Sequence, residues 1–257
     1  MIKAFPQLKN DPLRPFPNGL PEQSEQIHIG AGQTVEQTLS PKPGQTHLTV
    51  TVGDAGHFTL MLAATYEDDA YRLLTVEATV GRDAVLHVID RAMGGSRVET
   101  RVDLVLSALG ASGQFTGMYH GRGSEHHACH VIVHHLVPHT HGDVFVRGVY
   151  EGESRSVFTG LIRIAPGAQQ TKSYYRDDIL LLDHALAESL PTLEIEANDV
   201  KASHGSTTSR LNDEQLFYLQ SRGISAQQAR NLIVAGFLTP ALKRVPEALC
   251  KPFLTTD

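Results

Sequence analysis

The feature that most constrains the fold is a succession of short strand-like stretches at nearly even spacing: "THLTVTV", "GHFTLML", "YRLLTVEATV", "AVLHVIDRA", "VETRVDLVLS", "SGQFTGMYHG", "HHACHVIVHHL", "GDVFVRGVYEG" and "SVFTGLIRIA". β-Branched and apolar residues alternate with polar ones, and Gly, Asp or Ser fills the gaps. The stretches begin near residues 46, 56, 71, 84, 98, 112, 126, 142 and 156, so most steps are about 13 to 16 residues. No exact repeat accompanies the spacing, and no helical pattern separates the strands. A solenoid, a sandwich or a barrel remains. A sandwich needs tight hairpins, for which Asn-Gly or Asp-Gly is the strongest signal. Neither dipeptide occurs between residues 27 and 197. In a solenoid each rung is buried against the next, so a loose pattern is compatible with a regular stack. The expected fold is mainly β, with a solenoid core.

The expected organisation has three parts. Residues 1–26 are Pro-rich without periodicity and read as an extended arm. Residues 27–203 form the β core. Within it, "YYRDDILLLDHALAESL" (174–190) is ambiguous: Ile179, Leu182, Leu186 and Leu190 have helical spacing, yet "DILLLD" also suits a short buried strand. Residues 204–257 change character. Asn212 with Gln215 three residues on is a capping-box pattern, and Gly223 stands where a helix-ending glycine belongs. Ser225 with Gln228 repeats the device, and Thr239 followed by Pro240 signals the start of a third short helix. Phe217, Tyr218 and Phe237 are more aromatic surface than so small a bundle can bury, which suggests either a partner surface or docking onto the β core.

Composition excludes several functions. The 257 residues carry 22 basic and 28 acidic side chains, with no Lys/Arg block to suggest nucleic acid. No apolar run is long enough for a membrane span. The N-terminus lacks an apolar signal-peptide core. The two cysteines, Cys129 and Cys250, give no disulfide framework and suit a cytoplasmic location. GxSxG and GxxxxGK[ST] are both absent, so a nucleotide would have to come with a partner. "AMGGSR" reads as a turn.

Two longer segments resemble a known family. "DVKASHGSTTSRLNDEQLFYLQSRGISAQQARNLIVAGF" (199–237) is similar to the C-terminal signature of the SufB/SufD iron–sulfur cluster assembly proteins. "HHLVPHTHGDVFVRGVYEGESRSVFTGLIRIAPGAQQTKSYYRDDILLLDHA" (134–185) matches the family pattern upstream, in the same register. The resemblance implies a right-handed parallel β-helix core with a small C-terminal α-helical subdomain. It also implies a non-catalytic scaffold subunit that pairs with a SufB-type partner or with itself. By the same resemblance Leu216, Phe217, Tyr218, Arg222, Gly223 and Phe237 belong to the surface that docks a SufC-type ABC ATPase. The "SHG" at 203–205 is SufD-like, and no cysteine occurs between 200 and 209. With only an arm before the β core where longer members have an N-terminal helical domain, the chain looks like a short SufD-type form.

The resemblance makes His204 the candidate ligand for iron, or for a transient iron–sulfur cluster at a subunit interface; by default this chain alone binds neither. Imidazole is a good borderline ligand and needs thiolates or carboxylates beside it. Glu194 and Glu196 on the preceding strand are candidate oxygen ligands. The bland alternative is that His204 hydrogen-bonds a corner where strand gives way to helix. A second candidate is the cluster His120, His126, His127, His130, His134, His135, His139 and His141. His126, His130 and His134 share a strand face, but steps of four residues span about 13 Å, too far for one metal. His139 and His141 lie close enough to chelate together, and their His-x-His resembles a cupin metal site. The acid such a site needs is missing, since Phe145 and Val146 occupy its place. The alternatives to the scaffold are thus a cupin-like metal-dependent enzyme and a β-solenoid interaction platform without a cluster.

Overall fold

A computed structural model describes residues 16–245. Fourteen strands lie in two seven-stranded sheets. One sheet takes the odd strands in chain order: β1 (Glu22–Ile29), β3 (Gly44–Val52), β5 (Tyr71–Val80), β7 (Arg97–Leu106), β9 (His126–His135), β11 (Arg155–Ile164) and β13 (Leu186–Ile195). The other takes the even strands: β2 (Thr34–Leu39), β4 (His57–Tyr66), β6 (Val85–Gly94), β8 (Ser112–Gly121), β10 (His141–Tyr150), β12 (Thr171–Leu181) and β14 (Val200–Arg210). Every pairing is parallel, as between β7 and β9 or β10 and β12. The chain therefore winds as a β-solenoid, each turn contributing one strand to each sheet. The spacing in the sequence is a half-turn; Arg97, His126 and Arg155 are register partners one full turn apart.

Parallel pairing stacks like residues in columns. On the inner face Val50, Ala78, Leu104, Val133, Ile162 and Leu193 are successive register partners. The first five are buried, and Leu193 packs against them. The opposing sheet supplies Phe58, Leu60, Leu86, Val88, Phe115, Val144 and Val146 to the same core. Buried polar groups interrupt it, Asp90 among them. Asp90, fully buried, accepts from Arg72 at 3.0 and 3.1 Å, from Thr100 at 2.5 Å and from Tyr119 at 2.8 Å. Four donors to one carboxylate replace the water it gave up, and Arg72 holds its pKa below the ordinary range against the opposing effect of burial.

One column of turns explains a histidine. Gly32, Ala55, Asp83, Gly110, His139 and Gln170 all take positive φ. The amides of Gly32, Ala55, Asp83, His139 and Gln170 each donate to a carbonyl one turn on, as Ala55 N does to Arg82 O and His139 N to Gln169 O. The turn geometry is repeated by the stack, whatever the residue.

The segment at 174–190 resolves into β12 and β13. Strand β1 starts at Glu22, inside what reads as an arm, and β14 runs through Arg210, past the expected end of the core at 203. Two helices follow: α1 (Asp213–Ser221) and α2 (Ala226–Leu242). Asn212 caps α1, accepting from the amides of Glu214 and Gln215, and Gly223 follows at φ 85°. Ser225 and Gln228 form a reciprocal capping box on α2. No new helix starts at Thr239. α2 runs on through Pro240, because Leu238 and Ala241 are anchored in the core and the Thr239 hydroxyl donates back to Ala235 O. The rest of that expected third helix, and Cys250, lie outside the described residues.

Candidate functional site

The last turn of the solenoid is the least covered part of the core. β13 and β14 each have a single strand neighbour, and β14 is exposed along nearly its whole length. The register fixes the facing of β14. Its partners Ser173, Tyr175, Asp177 and Ile179 are buried, so Ala202, His204, Ser206 and Thr208 continue the inner face beyond the point where the core ends. His204 thus lies mid-strand, stacked after Tyr175 and exposed. It is not at a corner between strand and helix, because β14 continues six residues past it to Arg210. Beside it the buried Asp177 carboxylate accepts from Ser206 Oγ at 2.6 Å and Ser189 Oγ at 2.5 Å. These serines close the core with hydroxyls where an inner position would otherwise carry an apolar side chain. Neither stands out in the sequence; the one readable signal was Asp177, a carboxylate at an alternation position that faces the core.

Glu194 and Glu196 do not join His204. Leu193 faces inward, so Glu194 faces outward, where it accepts from Arg163 Nε at 2.6 Å. Glu196 lies just past β13, exposed, with its amide bonded to Ile164 O. The described residues therefore bring one imidazole to this end, without a thiol. Cys129 is inside the core, 1% exposed, with its thiol pushed up by burial.

The histidine cluster disperses over several faces. His127 and His135 point inward; burial lowers the first to about 4 and the second to about 3. His135 spans Thr140 Oγ1 at 2.7 Å and Ser173 Oγ at 2.9 Å. His126, His130 and His134 face outward on the odd sheet, with His134 Nε2 2.9 Å from Asp103 and His130 Nδ1 2.8 Å from Thr159 Oγ1. His120 pairs with Glu151 at 2.7 Å. His139 is a stacked turn residue and His141 lies edge-on to the Tyr174 ring. Among the described residues no group of three or more His, Cys, Asp and Glu side chains is arranged to hold a metal, and the all-parallel sheets differ from the antiparallel barrel of a cupin. A cleft of about 520 Å³ opens beside His120, lined by Asp68, Arg122 and Glu125 among others. Burial raises Glu125 to about 7, aided by the charges of Asp68 and Glu151.

The described part of the helical tail packs on the side of the solenoid, not over its end. Leu238 and Ala241 of α2 pack with Met118, Phe145, Val149, Leu180 and Leu182 on the outer face of the even sheet. Arg147 binds this seam: its guanidinium stacks 4.7 Å over the Phe237 ring, donates to the Phe237 carbonyl, and pairs with Asp178 at 2.8 Å. Arg244 pairs with Asp143 at 2.9 Å, and Arg230 with Asp183 at 2.8 Å. Phe237 thus serves the internal seam. Leu216 is half-buried, while Phe217 and Tyr218 are 73% and 57% exposed. Arg222 stacks over the Tyr218 ring at 5.2 Å. No described helix is long and apolar enough to cross a membrane.

The fold is thus a parallel β-solenoid with a helical tail packed beside it. Residues 26–237 match the family described as SUF system FeS cluster assembly, SufBD core domain. The chain belongs to this family. It is 33% identical over 200 residues to an iron–sulfur cluster assembly SufBD family protein of Mycobacterium leprae, covering 74% of this chain and 51% of that one. A Mycobacterium tuberculosis protein of the same description is 32% identical over 203 residues, covering 76% and 51%. A second one from Mycobacterium bovis is 28% identical over 183 residues, covering 70% and 22%. The chain spans about half the length, or less, of these curated relatives.

Proposed function

We propose that this protein is a non-catalytic, SufD-like scaffold subunit of the cytoplasmic Suf-type machinery for iron–sulfur cluster assembly. It pairs through its last turn with a second copy or a SufB-type subunit, and it receives a SufC-type ABC ATPase on α1 and the start of α2. The observation that carries this reading is the last turn: among the described residues nothing pairs with the outer edges of β13 and β14, and the helices pack to one side of them. An apolar stack that simply ended there would leave edges prone to uncontrolled pairing. On this reading the cluster is cargo. His204 supplies one ligand only when another chain brings the rest, consistent with an exposed imidazole that has no thiol beside it among the described residues. Phe217 and Tyr218 are the exposed aromatic anchors for the ATPase, in keeping with the weight such residues carry in interfaces.

The test is co-purification of the chain, alone and with a SufB-type subunit, with the ATPase. Retention of the ATPase, lost in a Phe217→Ala, Tyr218→Ala double variant, is the expected result. Failure of every combination to retain it, or retention unaffected by the double variant, sinks the docking assignment. Separately, a His204→Ala variant that supports cluster assembly as well as wild type removes the ligand role and leaves His204 structural.

A further inference from the structure

Three fully buried polar atoms on three consecutive strands lack partners among the described residues: His127 Nδ1 on β9, Tyr150 Oη at the end of β10 and Ser156 Oγ on β11. Each residue is 3% exposed or less. They are also neighbours. Ser156 is the register partner of His127, on the same inner face. The rings of His127 and Tyr150 meet edge-on with centroids 5.7 Å apart. The Tyr150 and Ser156 hydroxyls interact with each other, but neither has a partner at full hydrogen-bond geometry. The Tyr150 ring is held in place by two glycines: a Cβ at Gly121 or Gly148 would sit 2.6 Å from it. Its hydroxyl is therefore aimed, with little freedom to swing towards another partner.

The tautomer of His127 follows from its other nitrogen. Nε2 lies 3.1 Å from the Gly94 carbonyl, which can only accept. Nε2 therefore carries the hydrogen and Nδ1 presents a bare lone pair. Burial keeps the ring neutral, at about 4. Gly94 belongs to the turn before His127 and Ser156 to the turn after it, so the lone pair points away from the carbonyl and towards the hydroxyls. One buried acceptor and two hydroxyls are then neighbours. Leaving all three unbonded would cost roughly 1–3 kcal/mol each. Native interiors almost never leave such groups unsatisfied, and a buried water with about three partners is the usual remedy.

We infer that the solenoid core contains a built site for a single water molecule between His127, Tyr150 and Ser156. The water donates to His127 Nδ1, accepts from the Tyr150 hydroxyl and exchanges a hydrogen bond with Ser156 Oγ. It is an integral bridge between two successive turns, where parallel stacking alone cannot align polar side chains. The site is independent of partner binding, since all three residues lie in the interior of the isolated chain.

A crystal structure of the full chain at a resolution that places ordered water tests the site directly. The expected result is a single peak within about 3.2 Å of all three atoms. Direct bonding among the three side chains, with no peak, overturns the inference. In solution, magnetic relaxation dispersion counts water molecules held for long times. Ser156→Val removes one partner and fills the space, and the count is expected to fall by one. Ser154→Ala is the control: Ser154 Oγ is already within bonding distance of Glu151 O at 2.8 Å, and its count stays unchanged. An unchanged count in Ser156→Val refutes the site. Should that variant not fold, the wild-type ¹⁵N imidazole spectrum decides: Nδ1 accepting a hydrogen bond in the Nε2–H tautomer supports the water, and an unbonded Nδ1 rejects it.

Discussion

Mild acid should destabilise this solenoid through its buried imidazoles. Burial holds His127 to about 4, His135 to about 3 and His87 to about 4, against about 6.5 in the unfolded chain. Between those values the unfolded state binds more protons than the folded one. Stability is therefore full above about pH 6.5 and is lost as pH falls towards the folded values. At pH 5 an unfolded imidazole is almost wholly charged and a buried one almost wholly neutral, which amounts to about 2 kcal/mol per group. Glu125 acts in the opposite sense. Its raised folded value means stability that is present below about 4.5 and lost as pH rises through about 7. It lines an open cleft, so screening leaves roughly 1 kcal/mol of it. Three imidazoles outweigh one carboxyl. Urea unfolding of wild type and His135→Asn, at pH steps from 7.5 to 5, isolates one contribution. His135→Asn starts less stable at pH 7.5, having lost the bonds to Thr140 and Ser173. Its loss between pH 7.5 and 5 should nevertheless be about 2 kcal/mol smaller than that of wild type. An equal loss in the two proteins refutes the assignment of a neutral buried His135.

Three further perturbations probe the core and the seam. Gly160 leaves space for the Tyr175 ring, with which a Cβ would collide. Gly160→Ala should cost about 1–3 kcal/mol in thermal unfolding, and adding Tyr175→Leu should recover part of it; no recovery would place the clash elsewhere. Arg72→Met strands the Asp90 carboxylate among neutral donors and should cost about 3–5 kcal/mol, most of it regained in Arg72→Met with Asp90→Leu. A single variant within 1 kcal/mol of wild type would contradict the buried pair. Arg147→Ala removes the stacking on Phe237 and one partner of Asp178, while Arg176 stays at 3.0 Å. A loss of about 2 kcal/mol in the seam should speed hydrogen exchange in α2 by roughly 30-fold and leave β9 unchanged; equal acceleration in both would mean that the tail is not a separate unit.

The strands between 46 and 165 were legible because inner positions there are apolar and outer ones polar. The segment at 174–190 was not, since Ile179 and Leu181 face the core while Leu180 and Leu182 face α2. Burial on both sides erases alternation and leaves a chance helical spacing. β1 and β14 were obscure for the opposite reason: among the described residues each has a strand on one side only, and most of their residues are polar. The two helix caps were readable, as their chemistry is local. The run through Pro240 was not, because it depends on Leu238 and Ala241 finding a distant sheet. Nor does any residue type mark the turn column in which His139 sits; only the stack imposes its φ.

The two free edges of the last turn are not equivalent, and the difference predicts which of them pairs. In a parallel strand alternate residues direct their N–H groups to opposite sides. Leu186 and Glu196 donate back to Ser154 O and Ile164 O, so the odd residues of β13 point to its open edge. Pro191 is among them and has no N–H to give. On β14 the amide of Leu211 donates back to Leu181 O, so the even residues face outward. Ala202, His204, Ser206, Thr208 and Arg210 then present an unbroken row of donors. A partner strand gains more along β14, and the chain crossing there passes directly beside His204. Thr208→Pro removes one donor from that row without touching the bonds to β12, and edge strands tolerate proline at such positions. The variant should keep wild-type thermal stability within about 1 kcal/mol and lose association in sedimentation, with either a second copy or a SufB-type subunit. A variant that is equally stable and still associates like wild type would show that β14 is not the pairing edge.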